Sequence, residues 1–199
     1  MEILNSITQR ILLTTLRHVV DAPTIAILKE ELKMTHVGVW KALKKIEAEE
    51  MIILKSVGNK RNSIFTIYIN WNNPLISKML ILALEHESTY QRRWINCFAE
   101  LKDKVDFLLL YGSAINNLQK ANDIDILGIV SSKNKMEVER IVMKIQNSQI
   151  KKIHFIDFTS NGLKEELKKP NVAFVNAINE GIVLFGQEKF ISFIKELNK

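Results

Sequence analysis

The apolar residues of this chain change their spacing along its length, and that change restricts the fold more than any other feature. Through residue 101 most of them recur at three- and four-residue intervals, as a helix with one buried face requires. Beyond it they gather into short runs at 105–111 (VDFLLLY), 124–130 (IDILGIV) and 152–158 (KIHFIDF), the form of buried strands. A helix over 135–149 separates the second run from the third. Helices at 163–169, 172–179 and 187–197 and a strand at 182–185 complete the pattern. Strands alternating with helices imply an α/β sheet over 102–199.

The helical part has its own internal order. Ile11, Leu12, Leu16, Val19 and Val20 place a first helix over 7–20, which Asp21, Ala22 and Pro23 bring to an end. Thr24 caps a second helix through residue 32, and Thr35 caps a third with Val39, Leu43 and Ile46 turned inward. Two alternating runs, 52–57 and 63–69, flank a Gly-Asn turn and predict a hairpin. Helix, helix, helix, hairpin is the order of a winged helix-turn-helix, here over 1–73. The polar stretch 70–74 ends in Pro74 and marks the boundary. Residues 74–101 read as a helical connector, either one long helix or two.

Composition narrows the function classes. A chain of 199 residues, 47% apolar and 25% charged, has the make-up of a water-soluble globular protein. No run reaches the roughly 18 apolar residues of a membrane helix. The first ten residues lack the pattern of a secretory leader, and the lone Cys97 allows neither an internal disulfide nor a cysteine zinc site, so a cytoplasmic location is expected. The four histidines are scattered, so spacing predicts no histidine metal site. The formal charge of +6 permits attraction to nucleic acid. Between Lys33 and Arg61 seven basic residues stand against three acidic ones, Glu47, Glu49 and Glu50, making that stretch the best phosphate-facing surface.

The densest chemistry lies at 110–127. A buried strand ends at Gly112 and Ser113, nine residues intervene, and Asp123, Ile124 and Asp125 open the next strand. Alternation puts the two aspartates on one face and Ile124 and Ile126 on the other. Like charges this close raise each other's pKa unless a cation compensates. Mg²⁺ is the natural partner, because it accepts one or two carboxylates and completes its shell with water and nucleotide phosphates. Gly112 lets the backbone approach those phosphates, and Ser113 and nearby N–H groups hold them.

At these residues the chain resembles the DNA polymerase beta-like nucleotidyltransferase superfamily. Its signature is an apolar residue, Gly, Gly or Ser, a short gap, then alternating acidic and apolar residues, matched here by Tyr111-Gly112-Ser113 and Asp123-Ile124-Asp125-Ile126. The segment 177–186 (AINEGIVLFG) is similar to the tail of small prokaryotic members, and the resemblance covers roughly 100–190. It implies a mixed sheet, Asp123 and Asp125 as ligands of two Mg²⁺ ions, Gly112 and Ser113 as contacts to an NTP, ATP being expected, and a third carboxylate on a neighbouring strand that helps activate a hydroxyl. The implied reaction is transfer of a nucleoside monophosphate to a hydroxyl with release of pyrophosphate. The chain departs from the pattern twice. The loop after Ser113 reads Ala114, Ile115, Asn116, Asn117, without the Arg and Gly of many relatives. His154 occupies the place of the third carboxylate, with Asp157 three residues on and on the opposite face by alternation. Either Asp157 serves as the third catalytic acid through a bulge or register shift, or that acid is absent.

Residues 34–47 (MTHVGVWKALKKIE) resemble the recognition helix of winged helix-turn-helix regulators of the biotin-repressor type. The resemblance implies binding of double-stranded DNA, with Lys41, Lys44, Lys60 and Arg61 on phosphates and Thr35 and His36 as base readers. Trp40 either touches DNA or packs against the second helix. The leading expectation is an Mg²⁺-dependent nucleotidyltransferase coupled to a DNA-binding domain. The alternative is a transcription regulator whose second domain is a weak or inactive nucleotide sensor or dimerisation module. A homodimer fits a DNA-binding winged helix, and an antitoxin-like role toward a separate toxin subunit is a third reading.

Overall fold

The computed structural model describes residues 7–58, 64–115, 117, 119–169 and 172–197. The chain is mixed α/β and divides into two units, Met1–Ala83 and Leu84–Lys199.

In the first unit, α1 (Ile7–Arg17), α2 (Ile25–Leu32) and α3 (His36–Ala48) precede a hairpin of β1 (Ile52–Val57) and β2 (Ile64–Ile69). Both expected caps form. The Thr24 hydroxyl accepts the Ile27 N–H at 3.4 Å, and the Thr35 hydroxyl accepts the Gly38 N–H at 3.1 Å. Each satisfies one of the amides that a helix start leaves without a partner. Helix α1 stops three residues short of the expected end, where an exposed Val20 offers the last turn nothing to pack against. Val39, Leu43 and Ile46 of α3 are fully buried with Ile11 and Leu16 of α1 and Leu28 of α2. Burying each such side chain stabilises the unit by about 1.5–3 kcal/mol. The strands pair antiparallel from Ile52 opposite Ile69 to Val57 opposite Ile64, and the Ile67 N–H also reaches the Pro23 carbonyl at 2.9 Å. The hairpin is thereby tied to the link between α1 and α2.

The stretch read as a connector is broken. Helix α4 (Ile76–Ser88) ends in a 3₁₀ turn at Thr89–Gln91 before α5 (Arg92–Cys97). The Ser88 and Thr89 hydroxyls donate to the Glu85 and His86 carbonyls, each at 2.7 Å, and so compete with the backbone ladder that would continue the helix.

The second unit carries a four-stranded mixed sheet of β3 (Phe107–Tyr111), β4 (Asp123–Ile129), β5 (Lys152–Phe158) and β6 (Ile182–Phe185), in the order β5-β4-β3-β6. Strand β3 is antiparallel to both neighbours. Strands β4 and β5 are parallel, joined through α6 (Lys135–Gln146), the crossover that a parallel pair needs. Helices α7 (Ser160–Leu167), α8 (Val172–Glu180) and α9 (Gln187–Leu197) complete the unit. On one sheet face Leu108, Leu110, Ile124, Ile126 and Ile153 pack with Trp94 and Phe98 near α5 and Val138, Ile141 and Ile145 of α6. On the other, Leu109, Leu127 and Ile129 are buried beside Phe107, which meets Phe190 and Phe193 of α9 at ring separations of 5.3 and 5.5 Å. Along β4 this second face runs Asp123, Asp125, Leu127, Ile129, half-buried for the first two and buried for the last two. The two acids therefore stand at the uncovered end of a well-packed face.

Candidate functional site

The sheet register assembles the site. Asp125 lies opposite Tyr111 on antiparallel β3 and beside His154 on parallel β5, and paired residues share a face. Asp123, Asp125, Tyr111 and His154 thus project from one side of three adjacent strands. Nδ1 of His154 is 3.1 Å from Oδ2 of Asp123 and 3.4 Å from Oδ1 of Asp125. One donor atom from each of these three residues falls within 4.8 Å of the others. The histidine, whose sequence spacing pointed to no metal site, is thereby brought to both acids by the parallel pairing of β4 with β5.

Gly112 follows Tyr111 with φ of 75°, a left-handed conformation that favours glycine. A Cβ there would lie 2.6 Å from Oδ2 of Asp125, so the turn rests directly against the carboxylate and a larger residue would have to displace it. Ser113 then opens a 3₁₀ turn through Ile115 and is exposed. Ala114 and Ala121, both buried in the apolar cluster, anchor the two ends of the loop. Between them the Asn117 side-chain oxygen accepts the Gln119 and Lys120 amides at 3.0 and 3.2 Å. From the residue just before β5, the Lys151 ammonium donates to the Gln119 carbonyl at 3.1 Å and to the Ala121 carbonyl. Lys151 is a positioning residue that the sequence reading passed over, because nothing in its neighbourhood along the chain connects it to the loop.

The electrostatics follow from this packing. Burial, then the charge of Asp123, pushes the Asp125 carboxyl above the usual carboxylate range, while His154 draws it part of the way back. Burial and the charges of Asp125 and Asp123 raise the Tyr111 phenol, which stays protonated at neutral pH beside the pair. Two acids and a half-buried imidazole with an exposed approach form a group that could hold a metal ion.

Asp157 is not brought to this group. The pairing of β4 with β5 runs from Asp123 opposite Lys152 to Ile129 opposite Phe158 without a bulge or shift. Three residues beyond His154, Asp157 therefore faces the α6 side of the sheet. Its carboxylate accepts from the Lys135 ammonium at 2.9 Å. Among the described residues the cluster contains no third carboxylate.

In the first unit, His36, Val37, Trp40, Lys41 and Lys44 share the outward side of α3, and Val37, 60% exposed, was not among the expected contacts. The Thr35 hydroxyl is engaged as the helix cap. Trp40 packs against Phe65 of β2 with ring centroids 5.2 Å apart, and Lys44 sits 4.9 Å above the indole while pairing with Glu47 at 2.8 Å. A groove of about 460 Å³ between these elements is lined by Thr24, Ile25, His36, Trp40, Ile64 and Phe65. Lys60 and Arg61 lie outside the described residues.

Among the described residues no helix is long and apolar enough to cross a membrane. Comparison of the chain with models of known families, with curated proteins and with solved structures finds no match.

Proposed function

We propose that the second unit is a cation-dependent nucleotidyltransferase, acting on an NTP and a hydroxyl acceptor, and that the first unit is a winged helix-turn-helix that binds double-stranded DNA. The observation that carries the enzymatic reading is the contact of the Gly112 turn with Asp125, on the sheet face shared by Asp123 and His154. This contact sets a small-residue turn, with the exposed Ser113 hydroxyl, against an acidic pair that calls for a cation. A triphosphate needs both, amide and hydroxyl donors for its oxygens and a counter-charge at its side. The donor set fits a divalent cation, with Asp123 and Asp125 as its carboxylate ligands. When bound, such ions stabilise the attacking and leaving oxygens of an in-line displacement at the α-phosphate.

The chain's own residues orient the substrate. Gly112 allows close backbone approach, Ser113 donates to a phosphate oxygen, and the protonated Tyr111 phenol supplies a hydrogen-bond donor next to the acids. Ala114, Ala121, Asn117 and Lys151 make contacts that position the described part of the loop. In the first unit, the outward side of α3 and its groove support an approach to the major groove through His36, Trp40, Lys41 and Lys44.

Asp125→Asn abolishes divalent-cation-dependent release of pyrophosphate from NTP while the circular dichroism spectrum is retained. Equal turnover in variant and wild type would overturn the reading. A second reading, a DNA-binding regulator whose second unit senses nucleotide with little or no turnover, is favoured by one observation. Asp157 is committed to Lys135, leaving the cluster without a third carboxylate. Saturable NTP binding without pyrophosphate release in wild type distinguishes it.

A further inference from the structure

We propose that Asp123, Asp125 and Nδ1 of His154 hold one later first-row transition ion of borderline softness, such as Co²⁺ or Zn²⁺, in preference to Mg²⁺. The inference rests on the reading of this site as a cation-dependent centre and names the class of ion it takes.

Mg²⁺ demands oxygen ligands and gives up its water reluctantly, whereas imidazole nitrogen suits the later first-row ions. The third protein donor here is nitrogen. Nδ1 is aimed at the two carboxylates, 3.1 Å from one oxygen and 3.4 Å from the other. Two ligands about 2.0–2.2 Å from a common ion and roughly 90–110° apart are themselves about 3.0–3.5 Å apart, so both separations suit a shared ion. The alternative oxygen donor on β5 is out of reach, because Asp157 points through the sheet to Lys135. Gly112 presses on Oδ2 of Asp125 and leaves Oδ1 on the side of the imidazole. The three side chains remain 41%, 30% and 21% exposed for His154, Asp123 and Asp125, which leaves an entry path and open coordination positions for water or an anionic ligand.

Any site ranks transition ions above Mg²⁺ to some degree, so the diagnostic quantity is how His154 changes the ratio. The full-length chain, stripped with a chelator, is titrated with Co²⁺ followed by its visible absorption, and with Mg²⁺ by competition. His154→Asp, which replaces nitrogen by oxygen, is expected to lower the Co²⁺-to-Mg²⁺ affinity ratio about tenfold while still binding. An unchanged ratio in the folded variant overturns the proposal. A second measurement needs no variant. Zn²⁺ added to wild type shifts the ¹⁵N resonance of Nδ1 of His154, whereas an undisturbed resonance overturns the assignment. Selective binding without nucleotide turnover in any ion would remove the nucleotidyltransferase reading and leave this assignment standing. Turnover with an unchanged ratio would do the reverse.

Discussion

At the scale of single residues, Gly112 and Asp125 are bound to each other by space. Gly112→Ala places a methyl group in left-handed backbone and against the Asp125 carboxylate. It is expected to destabilise the second unit by on the order of 1–3 kcal/mol and to displace the acid, both read from denaturant midpoints and cation titration. Asp125 itself is expected to oppose folding when ionised. Burial and Asp123 raise its pKa, so the folded chain binds that proton more tightly than the unfolded chain does. The associated stability is complete below the ordinary carboxylate range and is lost as pH rises through the raised value. Asp125→Asn keeps a neutral side chain at every pH. In chelator at neutral pH the variant should therefore melt above wild type, with the gap closing on acidification. A less stable variant would show that the His154 contact outweighs the repulsion. The aspartate pair was legible in the sequence because a period of two needs only neighbouring residues. His154 stood out as a departure at the third-carboxylate position, but its contact with both acids was not legible, because no local pattern encodes which strand lies beside β4.

Individual elements show the same division between local and distant causes. The caps at Thr24 and Thr35 were readable because a hydroxyl satisfies an amide three residues away, within one turn. Thr35→Ala should cost about 1 kcal/mol of first-unit stability and loosen the start of α3, where His36 lies, so that DNA affinity falls more than the loss of one hydroxyl contact would explain. Urea titration and fluorescence anisotropy with duplex DNA check the two parts. Strand β5 was located correctly by its apolar run, yet the role of its acids and bases depended on parity. With β4 and β5 in unbroken parallel register, even offsets from Asp125's partner face the site and odd offsets face α6. This is why His154 joins the pair and Asp157 meets Lys135. The sequence left one helix or two open and did not locate the 3₁₀ break at Thr89–Gln91, because apolar spacing stays helical on both sides and the interruption comes from two hydroxyls turning back on carbonyls.

Over the whole molecule, the charge of +6 bears on partners more than on fold. Duplex binding by the full chain is expected to weaken linearly in log affinity against log salt, and Lys41→Ala should reduce the slope by about one phosphate contact without altering sequence preference. Binding independent of salt would count against the DNA reading. The sequence alone determined the elements, two runs of different periodicity, the helix caps and an acidic pair behind a glycine turn, because each depends on residues a few positions apart. Only the tertiary structure decided that Trp40 lies on Phe65, that Lys151 holds the loop, and that an imidazole rather than a carboxylate completes the cluster. Those contacts join residues 25 to 32 positions apart, and the last is set by the register in which β4 and β5 pair as the sheet buries its two apolar faces.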